Sequence, residues 1–427
     1  MKRCIIIGGG ISGLTAASIL SSNKVQVTLL ESSPKPGGRT YSFVGKESEN
    51  QIDNGQHILM GCYIETLRFL KLVGAESNFD YQKNLYTKFI DRNKQQFQLD
   101  ASGYFYPFNL ISAVMKYNVF DLGDKISFLS FLLKLPFLSK KTIINYNVKD
   151  WLLKENQNKK LMKSFWEILC VGALNSSVEK ASALVFYEIL LKIFFSGNFA
   201  STIILPKYGL SESFIIPAIS FIENNNGKIV LSQTVKSVEL NNQKIAAVKT
   251  EDSIYNDFDY VISAVPLYAL DKILDKQKLD INLDLEYSTI LNIHLWVTGN
   301  KFQEKFYGLL DSPLHWIFVK ENHLNIVISD ANYLNDKSKE EIFEYVVDEL
   351  VQYTSISRQD ILNYKIIKEK RATFIPGKKI LFNRPGSKTN IKNLFLAGDW
   401  INTGLPSTIE SAAKSGRIAA EMVLSEN

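Results

Sequence analysis

The strongest constraint on this fold is a run of glycines set between a strand and a helix near the start. Residues 4–7, Cys4-Ile5-Ile6-Ile7, are uniformly apolar and rich in β-branching. Such a run suits a buried parallel strand. Gly8-Gly9-Gly10-Ile11-Ser12-Gly13 follows with G-x-G-x-x-G spacing. Residues 14–20 read as a helix and 25–30 as a second strand, closed by Glu31 eighteen residues after Gly13. A dinucleotide-binding unit places its ribose-binding acid about 20 residues on. The chemistry explains the spacing. Gly8 permits a tight turn, Gly10 lets the backbone approach a pyrophosphate, and Gly13 lets the helix pack on the strand. Ser12 lies at the helix N-terminus, where free N–H groups and the positive dipole end attract phosphate. Glu31 accepts hydrogen bonds from ribose hydroxyls. The plain alternative, a glycine turn without a ligand, does not account for strand, helix and acid in this order.

Two further features choose FAD over NAD. Pro36-Gly37-Gly38-Arg39 follows the Glu31 strand. Gly38 allows close backbone approach and Arg39 offers a cationic clamp. At the far end, residues 393–397 read as a strand, followed by Gly398-Asp399-Trp400. Residues 403–412 then read as a loop entering a helix, with Pro406, Ser407 and Thr408 at its N-terminus. Such a terminus stabilises negative charge on a reduced flavin ring. Asp399 is placed to hold a ribityl or phosphate-side hydroxyl. One nucleotide domain thus begins and ends the chain, so the other domain is inserted. No second G-x-G-x-x-G unit is evident, which argues against a tightly bound NAD(P)H domain.

Composition excludes several classes. Lysine and arginine total 49 against 44 acids, a formal charge of +5 over 427 residues. That excess is too small for a dedicated nucleic-acid binder. With 46% apolar and 22% charged residues, wholesale disorder is excluded. Cys4, Cys62 and Cys170 are scattered, and His57, His294, His315 and His323 form no H-E-x-x-H. Neither a disulfide framework nor a metal site is expected. The uncharged runs fall short of the ~20 apolar residues needed to cross a bilayer. The apolar run at 4–7 stops too early for a signal peptide, so a cytoplasmic location is expected.

The opening motif with Glu31 and Gly38-Arg39, together with Leu396-Ala397-Gly398-Asp399, resembles the flavin amine oxidase and carotenoid desaturase superfamily. Asp53-Asn54-Gly55-Gln56-His57 is similar to a signature of hydroxysqualene dehydroxylases, also called squalene-associated FAD-dependent desaturases. Trp166-Glu167-Ile168-Leu169-Cys170 and Gly404-Leu405-Pro406-Ser407-Thr408 fit that family too. Lys207-Tyr208-Gly209 departs from the paired glycines of amine oxidases proper. The resemblance implies an α/β (α+β overall) fold, with a Rossmann-like FAD domain and an inserted substrate domain of helices and an antiparallel sheet. It divides the chain into 1–75, 205–270 and 388–427 for FAD, and 76–204 and 271–387 for the substrate. It carries Val235 over as a backbone contact to adenine; an ordinary strand valine is the alternative.

It also implies the reaction: reductive dehydroxylation of hydroxysqualene to squalene, feeding hopanoid or related triterpenoid synthesis, with handover from a hydroxysqualene synthase. Loss of an allylic hydroxyl needs a proton donor. His57 is the first candidate and Asp53 the second, as acid or as the group orienting His57. Tyr63, Trp166 and Asn175 are candidates for the cavity wall, with plain packing as the alternative. The other histidines read as structural. A carotenoid-type desaturase running hydride the other way, and a non-catalytic flavin-binding subunit, are the competing readings. Residues 104–115, 126–138 and 186–199 are rich in Phe, Leu and Ile, with lysines around them. They read either as buried helices or as a surface meeting the inner face of the cytoplasmic membrane.

Overall fold

Strand Arg3–Ile7 forms the centre of a five-stranded parallel sheet because its neighbours bury it from both sides. The order is Lys228–Val230, Gln26–Leu30, Arg3–Ile7, Tyr260–Ser263 and Leu394–Leu396. Cys4, Ile5, Ile6, Val27 and Leu29 are all buried, as a parallel sheet covered on both faces requires. The computed structural model describes residues 1–45, 51–299, 302–377 and 380–426. Three distant chain segments therefore meet in one sheet. Helices Ile11–Ser22, Ile216–Asn224 and Ile409–Ser425 cover one face and share its core. A Cβ on Gly416 would stand 2.2 Å from the Ser12 carbonyl oxygen, so the first and last helices touch backbone to backbone. The small antiparallel meander Val235–Asn241, Lys244–Thr250 and Ile254–Tyr255 packs on the other face.

A second sheet has seven strands, ordered Ile361–Phe374, Tyr287–Val297, Leu324–Ile328, Trp316–Val319, Phe306–Leu309, Tyr86–Ile90 and Gln96–Asp100. The expected antiparallel sheet is corrected here to a mixed one. Phe306–Leu309 pairs parallel with Tyr86–Ile90, while the other described pairings are antiparallel. The hairpin strands 86–90 and 96–100 arrive from far upstream, which sets their direction. Helix Lys339–Tyr353, begun by a Ser338–Glu341 capping box, covers one face.

The third part is helical. Phe108–Lys116, Leu122–Lys134, Val148–Lys154, Glu167–Leu174 and Ala183–Phe195 surround an aromatic core. Trp166 lies at its centre. It stacks on Phe128 at 4.8 Å, meets Phe131 and Phe165 edge-on, and donates its indole N–H to Gln157 Oε1 at 3.0 Å. The indole thus gains its polar partner without leaving the core. This core continues to Ile58, Met60 and Cys62, immediately after His57.

Candidate functional site

The glycine loop is compressed to a degree only glycine allows. Gly8 adopts φ +106°. A Cβ on Gly13 would come within 1.9 Å of the Gly8 carbonyl oxygen. Gly10 faces Gly38, where a Cβ would stand 3.2 Å from the Gly10 Cα. The Gly37 N–H donates to the Gly9 carbonyl at 2.8 Å. The two glycine loops therefore form adjoining walls. Helix Ile11–Ser22 starts there with no side-chain cap and no acid in its first turn. Its first N–H groups stay available to an anion. Ser12 is buried, and its hydroxyl accepts from Ser415 at 3.2 Å, leaving its backbone for a phosphate. Glu31 accepts from the Gly9 N–H at 2.6 Å and the Ser33 N–H at 2.8 Å, which holds it at the strand end. Val235 is buried beside this edge, two residues after Gln233, whose N–H donates to the Glu31 carbonyl at 2.8 Å. Gln233 Oε1 is buried without a partner, a group the motif reading did not single out.

The far end of the chain closes onto the same place. Arg39 Nη2 donates to Asp399 Oδ1 at 2.8 Å, and Nη1 donates to the Ala372 carbonyl at 2.5 Å. Ser407 donates to the other Asp399 oxygen. Burial pushes the Asp399 carboxyl up, but Arg39 and Ser407 outweigh it and hold the group below the usual carboxylate range. Gly398 has φ +141°, and a Cβ there would strike the Trp400 indole at 2.6 Å. Thr408 caps helix Ile409–Ser425 by accepting from the Ser411 N–H at 3.2 Å, and the Pro406 carbonyl accepts from Thr408 Oγ1 at 3.4 Å.

Two residues that sequence reasoning missed hold this end in place. Buried Arg384 donates to the carbonyls of Trp400 at 3.2 Å and Leu405 at 2.7 Å, and also to Ile401. Burial lowers its pKa to about 10. Glu410 turns away from its own helix and accepts from the N–H groups of Glu65 and Thr66, at 3.0 and 2.8 Å. It thereby caps helix Ile64–Leu72, which has no side-chain cap of its own. Arg384 belongs to no linear motif; Glu410 ends the 404–410 run that fits the family, but nothing in that run shows that it reaches Glu65 and Thr66.

Arg39 also reaches the 53–57 loop. Its carbonyl accepts from Asn54 Nδ2 at 3.4 Å. His57 Nε2 is buried without a partner. Burial is the main cause that lowers the His57 pKa to about 4; the Asp53 charge opposes it, and the Arg39 guanidinium charge is a smaller lowering influence. The ring is therefore neutral at pH 7. Asp53 is engaged on both oxygens. Oδ1 accepts from Ser42 Oγ at 2.7 Å and the Leu210 N–H at 2.9 Å, and Lys320 Nζ stands 3.5 Å from Oδ2. That arrangement suits an orienting residue. His294 meets His323 at 3.0 Å. His315 accepts from the Ser329 N–H at 3.1 Å. Trp166 and Asn175 are committed to packing and to the Asp330 N–H at 2.8 Å.

Taken together, the opposed glycines, the uncapped helix start, Glu31 and the orphaned polar atoms of Gln233 and His57 fit an extended dinucleotide carrying a polar ring. The profile described as flavin containing amine oxidoreductase matches residues 11–424. The chain belongs to this flavin-containing amine oxidoreductase family. It is an FAD-dependent oxidoreductase. Within that frame, a hydroxysqualene dehydroxylase of Zymomonas mobilis is 28% identical over 425 residues, covering 99% of each chain. A 15-cis-phytoene desaturase of an Oncidium hybrid cultivar is 22% identical, covering 99% of this chain and 78% of that protein. The solved structure of an oxidoreductase from Methanosarcina mazei superposes with a TM-score of 0.75 at 18% identity, covering 98% and 100% of the two chains. That likeness supports the fold.

Proposed function

We propose that this flavoenzyme converts hydroxysqualene to squalene by reductive dehydroxylation. The full-length similarity to a hydroxysqualene dehydroxylase carries the reading. The aromatic core that runs up to Ile58, Met60 and Cys62 beside His57 supports it, because a long hydrocarbon needs a dry apolar path to the reacting carbon. On this reading the substrate is drawn from the cytoplasmic face of a membrane and the product feeds triterpenoid synthesis, with handover from the synthase of the alcohol.

The residues divide the work. Gly8, Gly10, Gly13 and Gly38 would give a pyrophosphate close backbone approach, Glu31 would hold a ribose, and Val235 would border the adenine. Arg39 and Asp399 clamp the two ends of the nucleotide domain together, and the N-terminus at Ser407–Thr408 faces developing negative charge. Bound and reduced, FAD supplies the hydride. The balance is alcohol plus reduced flavin to hydrocarbon, water and oxidised flavin. His57 Nε2 accepts the substrate hydroxyl's hydrogen bond when neutral and donates a proton to the leaving oxygen when charged. Aromatic faces in the core shield the allylic cation. Asp53 orients the loop.

The test is product analysis under anaerobic conditions. Dithionite-reduced enzyme mixed with hydroxysqualene in detergent should give squalene, identified by gas chromatography–mass spectrometry, as the flavin reoxidises. Conjugated polyene from the oxidised enzyme and a phytoene-like substrate, with no squalene, would favour the desaturase instead. Full flavin occupancy with neither product would leave a binding subunit.

A further inference from the structure

The helical part turns an apolar surface outward at one place. Of the 25 large apolar side chains exposed among the described residues, nine fall within 104–137. In helix Phe108–Lys116 the outward residues Phe108, Ile111 and Met115 recur at helical spacing, while Ala113 and Val114 face the core. In helix Leu122–Lys134 the outward residues are Leu122, Ile126 and Leu133, and Phe128 and Phe131 face inward. Both helices are apolar on two faces, and water accounts for only polar outer faces. Phe105 is 75% exposed and Phe137 is 88% exposed at the adjoining turns. The helices are joined, since Lys125 Nζ donates to the Met115 carbonyl at 2.7 Å. The Phe105 and Phe108 rings meet at 5.3 Å.

Charge identifies what this face meets. Residues 102–147 contain five lysines and two aspartates. Asp124 is buried, Asp121 is paired with Lys160 and Lys140 with Glu188, so Lys116, Lys125, Lys134 and Lys141 leave the outward charge here basic. Lys116 lies 6.0 Å from the exposed Tyr104 ring, and Lys125 and Lys134 border the second helix. The side chains protrude from helix backs and turns instead of lining a groove. A fluid lipid surface accommodates protrusions; a protein partner needs matched shape. Among the described residues no helix is long and apolar enough to cross a membrane.

We infer that the 104–137 face docks the enzyme on an anionic bilayer, its apolar residues entering the acyl boundary and its lysines meeting head groups. The inference rests on the reading of a water-insoluble substrate, and it gives that substrate its source. The core beneath these helices is the one that reaches Met60 and Cys62, so the docked face and the site share one apolar body.

The experiment is vesicle flotation of the FAD-loaded protein. Vesicles of phosphatidylcholine are compared with vesicles containing about one-third phosphatidylglycerol. Wild-type protein should float with the anionic vesicles. Phe105→Asp/Phe137→Asp should reduce binding by at least ~10-fold, and Lys116→Gln/Lys125→Gln/Lys134→Gln by roughly 10²-fold on anionic vesicles only. Both variants should keep wild-type flavin content and wild-type turnover on detergent-dissolved substrate. Protein that stays unbound on anionic vesicles, or variants that float as wild type does, would overturn the inference. So would light scattering showing a dimer that Phe105→Asp/Phe137→Asp dissociates, without flotation. Squalene formation is read separately, so docking and chemistry fail independently.

Discussion

The nucleotide-binding part and the helical part are held together by opposite means. In the first, backbone meets backbone: Gly13 against Gly8, Gly38 against Gly10, Gly416 against Ser12. A single methyl group at Gly13 or Gly416 collides with backbone, and one at Gly38 would be pressed against Gly10 at 3.2 Å. In the second, side chain meets side chain, and Trp166 is enclosed by Phe128, Phe131, Phe165 and Phe186. Close backbone approach demands particular residues at particular spacings, whereas aromatic packing demands only volume and apolarity. The first part therefore fixes both residue identity and spacing, whereas the second constrains only residue size and apolarity.

This contrast sets an order of expected effects. Gly13→Ala should be the most damaging single change, because its Cβ falls 1.9 Å from backbone. The purified protein should lack the visible flavin spectrum altogether; normal flavin content would break the comparison. Trp166→Ala should lower stability by about 3–5 kcal/mol, measured by urea unfolding, as for other fully buried aromatic truncations. The folded fraction should nevertheless retain flavin. His57→Ala should also keep flavin and lose at least ~10²-fold in turnover. With His57 intact, the rate of the chemical step should rise as pH falls from neutrality toward about 4, the pKa of this buried ring.

Acid should also destabilise the fold. Burial pushes His57, His315 and His323 down to about 4 and His294 to about 3. Each ring is neutral in the fold and charges in the unfolded chain near pH 6.5. The unfolded state thus binds more protons in this window, and stability present above pH 6.5 is lost as pH falls toward 4. A thermal midpoint unchanged between these pH values would show the rings to be solvated. The smallest effect is expected for Lys320→Met, which removes a 3.5 Å contact to Asp53 while Ser42 and Leu210 still hold that carboxylate. Turnover should fall less than ~10-fold.

The same contrast explains what could be read in advance. Strands at 4–7, 25–30 and 393–397 lie within a residue or so of Arg3–Ile7, Gln26–Leu30 and Leu394–Leu396. The first helix begins at Ile11, earlier than the apolar pattern suggests, because the glycine loop itself supplies its first turn. Arg384 and Lys320 act on residues far along the chain and lie in no motif; Glu410 lies in one, but its partners Glu65 and Thr66 are equally distant. The parallel pairing of Phe306–Leu309 with Tyr86–Ile90 was hidden for the same reason. The hydrophobic stretches were visible as composition, but which of their faces turns outward depends on packing.

The most direct test of the account is isotopic. Enzyme reduced in D₂O would be given one equivalent of hydroxysqualene without oxygen, and the hydrocarbon product weighed by mass spectrometry. Hydride delivery from the reduced cofactor to the carbon that loses hydroxyl predicts squalene carrying one deuterium, formed in step with flavin reoxidation. Squalene without deuterium, or flavin that stays reduced while the alcohol is consumed, would contradict it.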